Sequence, residues 1–245
     1  MCGENSVRGC VTALRHRLTD VIFAPNAKSQ STTTRGTYVH ENSVKVAIIC
    51  EESGTVRDAF RKRGHDAWSY DLLPGRGLFP QYHVQGDITK VPKAKLAEFD
   101  LAICHPPCDR LLVAGALHWK KWQASGEQQK GIEFFMFMTR LPIKKIAIEN
   151  PVGIMSTAYR KSDQIIEPWQ FGHPETKRTC LWLTNLPLLQ GTKNVYDEMM
   201  KLPPKLRNRV HHESPGVRNG LTRSMRRAVT YPGWADAMVE QWGSL

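Results

Sequence analysis

Pro106-Pro107-Cys108 sets a thiol behind two residues whose rings stiffen the chain, so the sulfur is presented rather than left on a slack loop. A cysteine attacks only as its thiolate, and an ordinary thiol with a pKa of about 8.5 is a few per cent ionised at neutral pH. Arg110 and Lys177 are the cations expected to raise that fraction. Glu149-Asn150-Pro151 offers a carboxyl; at a water-poor strand end its pKa would rise, making it a proton donor at neutral pH. A capping or solvent-facing Glu149 is the plain alternative. Cys104, His105 and Cys108 also carry the donor types of a zinc site, but a further ligand would have to come from Cys180, His211 or His212, away from the strand ends. No metal is expected.

A second group of residues suits a small ligand. Cys50-Glu51-Glu52-Ser53-Gly54 holds one glycine and two acids, so it is not a dinucleotide loop. Two carboxylates there would repel a pyrophosphate and tolerate a cationic or neutral ligand, such as a sulfonium with an amino-acid tail. Asp71 is placed to take two ribose hydroxyls, and Asp87 to accept from an exocyclic amine. Both aspartates can equally be helix caps.

These residues need elements to hold them. VKVAIIC from Val44, HDAWSYD ending at Asp71, PQYHVQGDI, FDLAIC (99–104) and KKIAIEN (144–150) read as strands, with QIIEPWQFG and RTCLWLTN as two more. Helical segments fall between them, at TVRDAFRKRG and from about Gly126 onward. This alternation predicts an open, mostly parallel α/β sheet, with Cys50–Gly54, Asp71, Asp87, Cys104–Cys108 and Glu149–Pro151 at the carboxyl ends of strands. Residues 1–43 read as a flexible tail with one short helix near Val11–Val21. The core then runs over 44–190, a short basic segment over 191–231, and a closing helix over 232–245.

Composition narrows the partners. The chain has 245 residues, a net charge of +11 and 41% hydrophobic residues, which excludes a wholly disordered chain. No apolar run approaches the ~18 residues that span a bilayer, and no secretory signal is expected. Six scattered cysteines fit a reducing cytoplasm rather than a disulfide scaffold. Between residues 191 and 230 lie nine Lys or Arg against three Asp or Glu, so this segment carries over half the excess charge. A polyanionic partner is one reading of that charge and a solvated basic face the other.

The order of Gly54, Asp71, GDITKV (86–91), PPC (106–108), ENP (149–151) and FGHPETKRT (171–179) resembles the DNA cytosine-5 methyltransferases. The separation of Cys108 from Glu149 fits that family as well. The resemblance covers about Val44 to Thr184. It implies a Rossmann-like S-adenosylmethionine-dependent methyltransferase sheet with helices on both faces. It further implies a cofactor site of Cys50, Glu51, Glu52, Ser53, Gly54, Asp71, Asp87, Ile88 and Pro106. Cys108 would be the nucleophile and Glu149 the group at the base, with Lys177 or Arg178 replacing the family's arginines. Arg110, Arg218, Arg223, Arg226 and Arg227 would hold double-stranded DNA in the cytoplasm of a bacterial or phage-infected cell.

The chain departs from the family at CEESG in place of a glycine-rich turn, at Asp109 after the cysteine, and at Pro151 after Glu-Asn. Thr179 stands where a family arginine would. The segment between Gly191 and Arg218 is short where the family places a large target-recognition domain, so a short or loose target sequence is expected. RNA, a free nucleotide or an exocyclic base nitrogen are alternative methyl acceptors, and a non-catalytic DNA-binding relative is the alternative outside enzymes.

Overall fold

A computed structural model of the chain describes residues 43–244. The expected tail, with its helix near Val11–Val21, lies outside the described residues apart from Ser43. Seven strands form one sheet: β1 (Lys45–Ile49), β2 (Asp66–Asp71), β3 (His83–Gln85), β4 (Leu101–Cys104), β5 (Lys145–Pro151), β6 (Gln164–Ile166) and β7 (Thr179–Thr184). Their order is β3-β2-β1-β4-β5-β7-β6. Neighbours from β3 to β5 pair in parallel, and β7 lies antiparallel between β5 and β6. The sheet is the doubly wound α/β type expected.

The apolar run in β1 is explained by burial on both faces. Val46 and Ile48 point into one core with the helices Thr55–Lys62 and Pro232–Trp242, where Val56 and Phe60 meet Trp234, Met238 and Trp242. Ala47 and Ile49 point into the other, against Phe135 and Met138 of the helix Glu127–Met138. Period-two alternation along a single strand thus fills two separate cores.

Two expected strands are shorter than read. The third keeps only His83–Gln85, because Pro80–Tyr82 form a 3-10 turn before it. In QIIEPWQFG, Pro168 has no N–H to give a ladder and starts a second 3-10 turn, Pro168–Gln170. The chain reverses its direction of winding between β1 and β4. That is where a doubly wound sheet opens a crevice at its carboxyl edge.

The basic segment is not structureless. It holds the short helices Tyr196–Lys201, Pro204–Arg207, Arg209–His212 and Arg223–Ala228. The last is N-capped by Thr222, whose Oγ1 accepts from Met225 N at 3.2 Å.

Candidate active site

A cavity of about 1060 Å³ lies at the carboxyl edge of β1, β2, β4 and β5. Its walls include Cys50 to Ser53, Asp71, His105 to Asp109, Glu149 and Lys177, with the helix Arg223–Ala228 across its far side. Topology brings the strand-end residues together, since β1, β2, β4 and β5 run parallel and end on one edge.

Backbone bonds fix the reactive loops. His105 N donates to Ile49 O at 2.9 Å, which carries β4 past the end of β1. The Asn150 side chain adds to these: its Nδ2 donates to Pro106 O at 3.0 Å, clamping the end of β5 to the loop bearing Cys108. Leu111 N and Leu112 N both donate to Cys108 O, at 2.9 and 3.0 Å. The thiol is therefore held by a turn as well as by the prolines.

The charges around Cys108 and Glu149 depart from expectation. Burial pushes the Cys108 thiol up, while Lys177 and Arg227 pull it partly back, and the net direction is upward. Arg110 is not one of its cations; that guanidinium donates to Glu127 (2.6 Å) and Asp109 (2.8 Å) and stacks 4.8 Å over Trp122. Glu149 corrects the reading of a raised carboxyl. Burial does push it up, but His105 beside it and Lys177 outweigh that, so it is held below the usual glutamate range. His105 Nδ1 lies 3.3 Å from Glu149 Oε2.

Lys177 and Arg178 part company. Lys177 is drawn down by burial against the pull of Glu149 and Cys108, and its Nζ lies 5.6 and 5.7 Å from the rings of Tyr231 and Trp234. Arg178 is exposed, and its charge acts on Glu167 and Cys180 instead. Arg227 comes as a finding: its charge reaches Cys108 and Lys177, and its Nε is buried without a partner. The resemblance implies a DNA contact for it, and nothing local in RSMRRA marks it off from its neighbours.

The ligand end is mixed. Asp71 lines the cavity, with Oδ1 accepting from Leu73 N at 2.9 Å, and burial raises its carboxyl. Cys50 turns through φ 61°, and burial with Asp71 and Asp87 nearby pushes its thiol up to about 12. Glu51 faces the helix Thr55–Lys62, accepting from Val56 N (2.6 Å) and Arg57 N (3.2 Å). Its carboxylate therefore already satisfies the donors at that N-terminus. Glu52 makes a two-pronged pair with Arg76, 2.7 Å on one arm. Ser53 Oγ lies 3.2 Å from Thr55 Oγ1.

Gly54, Asp87 and Ile88 are not among the lining residues. Gly54 has φ 75°, and a Cβ there would collide with the Arg57 guanidinium and come within 2.6 Å of Arg76 O, so it serves packing. Asp87 takes the cap reading, accepting from Thr89 N (2.9 Å) and Thr89 Oγ1 (2.7 Å), while Ile88 is buried in the core.

Among the basic residues, Arg226 is used inside the fold. It bonds Glu213 Oε1 (2.9 Å) and the carbonyls of Ser214 and Leu221, holding the loop between them. Arg223 donates to Glu213 O at 2.7 Å and lines the cavity. Arg218 reaches Ser214 Oγ at 3.3 Å from an exposed position. The zinc reading does not assemble: Cys104 and Cys180 are buried in the core, and among the described residues no three His, Cys, Asp or Glu side chains converge. No helix among them is long and apolar enough to cross a membrane.

No protein-family model and no curated protein matches the chain. Solved structures of low identity are similar to it. A protein encoded within an E. coli prophage and described as a DNA modification methyltransferase shares 16% identity at a TM-score of 0.45, over 66% of this chain and 56% of that one. The Entamoeba histolytica methyltransferase EhMeth shares 15% at 0.43, over 62% and 57%. S. pombe Dnmt2 methyltransferase shares 14% at 0.39, over 72% and 61%. The chain thus spans between half and two thirds of the length of each.

Proposed function

We propose that this chain transfers a methyl group from S-adenosylmethionine to carbon 5 of cytosine in double-stranded DNA, through a transient bond from Cys108 to carbon 6. The observation that carries this reading is the meeting of Cys108, Glu149 and Lys177 in one cavity that also reaches Asp71. A thiol, a carboxylate and a cation are the three groups needed to make an electron-rich ring accept a nucleophile.

The residues present fit the methyl donor. Asp71 can accept from ribose hydroxyls, and Cys50 and Pro106 give apolar walls beside it. Glu51 and Glu52 are already paired, so the site does not face the donor with two free carboxylates. When bound, S-adenosylmethionine supplies an electrophilic methyl group, which the activated carbon 5 takes.

The chain's own residues do the rest. A base swung out of the stack, at a cost of a few kcal/mol, enters beside Cys108. Lys177 and Arg227 favour the thiolate against the pull of burial and offer positive charge to the base as electron density moves onto it. Glu149 faces ring nitrogen 3 and the exocyclic amine; its carboxylate accepts from the amine and fixes the base, and a proton passed through it to nitrogen 3 draws density from carbon 6. The carbon 5 proton then passes to a water molecule, and its electron pair reforms the carbon 5–carbon 6 double bond as the Cys108 thiolate leaves. Arg218 and the exposed lysines of the basic segment hold phosphates, and so short a segment reads little sequence.

Methylated plasmid digested to nucleosides and weighed by mass spectrometry tests the reading. The expected product is 5-methylcytosine; methyl on an exocyclic nitrogen, or none on DNA, would overturn it. Lys177→Met is expected to lower kcat about 10²- to 10³-fold in an initial-rate methyl-transfer assay. The same substitution should slow alkylation of Cys108 by iodoacetamide at neutral pH, since it removes a charge that favours the thiolate.

A further inference from the structure

His105 lines the cavity beside Glu149 and has no part in the route above. Its backbone is pinned to β1 through Ile49 O, and the loop it opens is clamped by Asn150. That leaves its ring facing Glu149, Nδ1 to Oε2 at 3.3 Å, with the two side chains only 14% and 10% exposed. Its Nε2 is buried with no hydrogen-bond partner. An orphaned ring nitrogen in so buried a pair is costly unless it serves something that enters the site.

We propose that His105 is the positioning residue for Glu149 and holds the proton that Glu149 passes to the base. This rests on the methyl-transfer reading above. As Cys108 attacks, the sulfur–carbon 6 bond forms and the ring electrons shift towards nitrogen 3, which needs a proton. The Nδ1–H bond of the imidazolium breaks and an O–H bond forms on the Glu149 carboxylate. The carboxyl then loses a proton to nitrogen 3. Expulsion of Cys108 reverses both transfers, so no proton is consumed along this path.

The charges facing His105 agree with that role. Burial pushes its pKa down, but Glu149 on β5 and Glu51 after β1 outweigh burial and the opposing Lys177 before β7, so it rises above its ordinary 6.5. Glu149 is held below 4.5 by the same pairing. A proton held by the pair thus favours the imidazole over the carboxyl. The charged pair exists above the lowered Glu149 value and below the raised His105 value, and is lost as pH climbs past the latter.

His105→Asn keeps a neutral donor near Glu149 and removes the titrating proton. Initial rates with S-adenosylmethionine and DNA, taken across pH, are expected to show kcat about 10- to 100-fold lower at neutral pH. The KM for S-adenosylmethionine should stay within about two-fold, and the alkaline fall of the parent profile should disappear. An unchanged kcat and pH profile would overturn the proposal. If the parent transfers no methyl, or the variant does not fold, the pair is read by imidazole NMR titration of the parent and of Glu149→Gln. A His105 pKa above 6.5 in the parent that falls in Glu149→Gln supports the proposal, and one indifferent to Glu149→Gln overturns it.

Discussion

Cys108→Ala is expected to reduce methyl transfer to below about one ten-thousandth of the parent rate, because no other group in the cavity can form the carbon 6 bond. The other described cysteine in the wall, Cys50, has its thiol pushed to about 12 and cannot stand in. DNA carrying 5-fluorocytosine makes the result sharper. Fluorine cannot leave as the carbon 5 proton does, so the parent should form an adduct that survives denaturing gels. Cys108→Ala should form none while still retaining DNA on a filter. An active Cys108→Ala protein would sink the covalent route whatever base proved to be methylated.

Arg57→Met is expected to cost the fold about 3–5 kcal/mol, the usual penalty for breaking a buried ion pair. Arg57 is fully buried and sits against Asp58, with Nε to Oδ1 at 2.9 Å and Nη1 to Ser69 Oγ at 2.8 Å. Its remaining arm bonds Arg76 O, and Asp58 Oδ2 takes Leu78 N. One guanidinium therefore joins the helix after β1, strand β2 and the loop that carries Arg76 to Glu52. Removing it leaves Asp58 a charge without its pair. Thermal unfolding should show a midpoint lower by roughly 6–20 °C for a domain of this size. Adding Asp58→Asn should return part of the loss; a midpoint within about 1 °C of the parent in Arg57→Met would show that the network contributes little.

The strands were legible because burial on both faces leaves an apolar run that few other elements produce, as Val46–Ile49 shows. The placing of Cys108 and Glu149 followed from topology: parallel strands end together, so a residue just after β4 and one near the end of β5 must meet. What spacing could not give was side-chain direction. Asp71 ends β2 and Asp87 comes just after β3, yet one faces the cavity and the other turns back onto Thr89. The local signal was there, since a threonine two residues on favours an aspartate turn. Glu51 is similar: only the fold of the turn at Gly54 shows that it reaches Val56 and Arg57. Arg227 and His105 depend on distant partners, Cys108 and Glu149, and no sequence window contains both members of either pair.

The pairing of the helices Thr55–Lys62 and Pro232–Trp242 in one core sets a timetable for synthesis. Val56 and Phe60 leave the ribosome first, and Trp234, Met238 and Trp242 follow about 170 residues later. At about 5–20 residues per second the early helix waits on the order of ten to thirty seconds for the surface that covers it. Until then the nascent chain carries a naked apolar stripe next to unpaired strand edges, the form most open to aggregation and to capture by holding chaperones. Slowing translation late in the message should lower the soluble yield, whereas slowing it early should not.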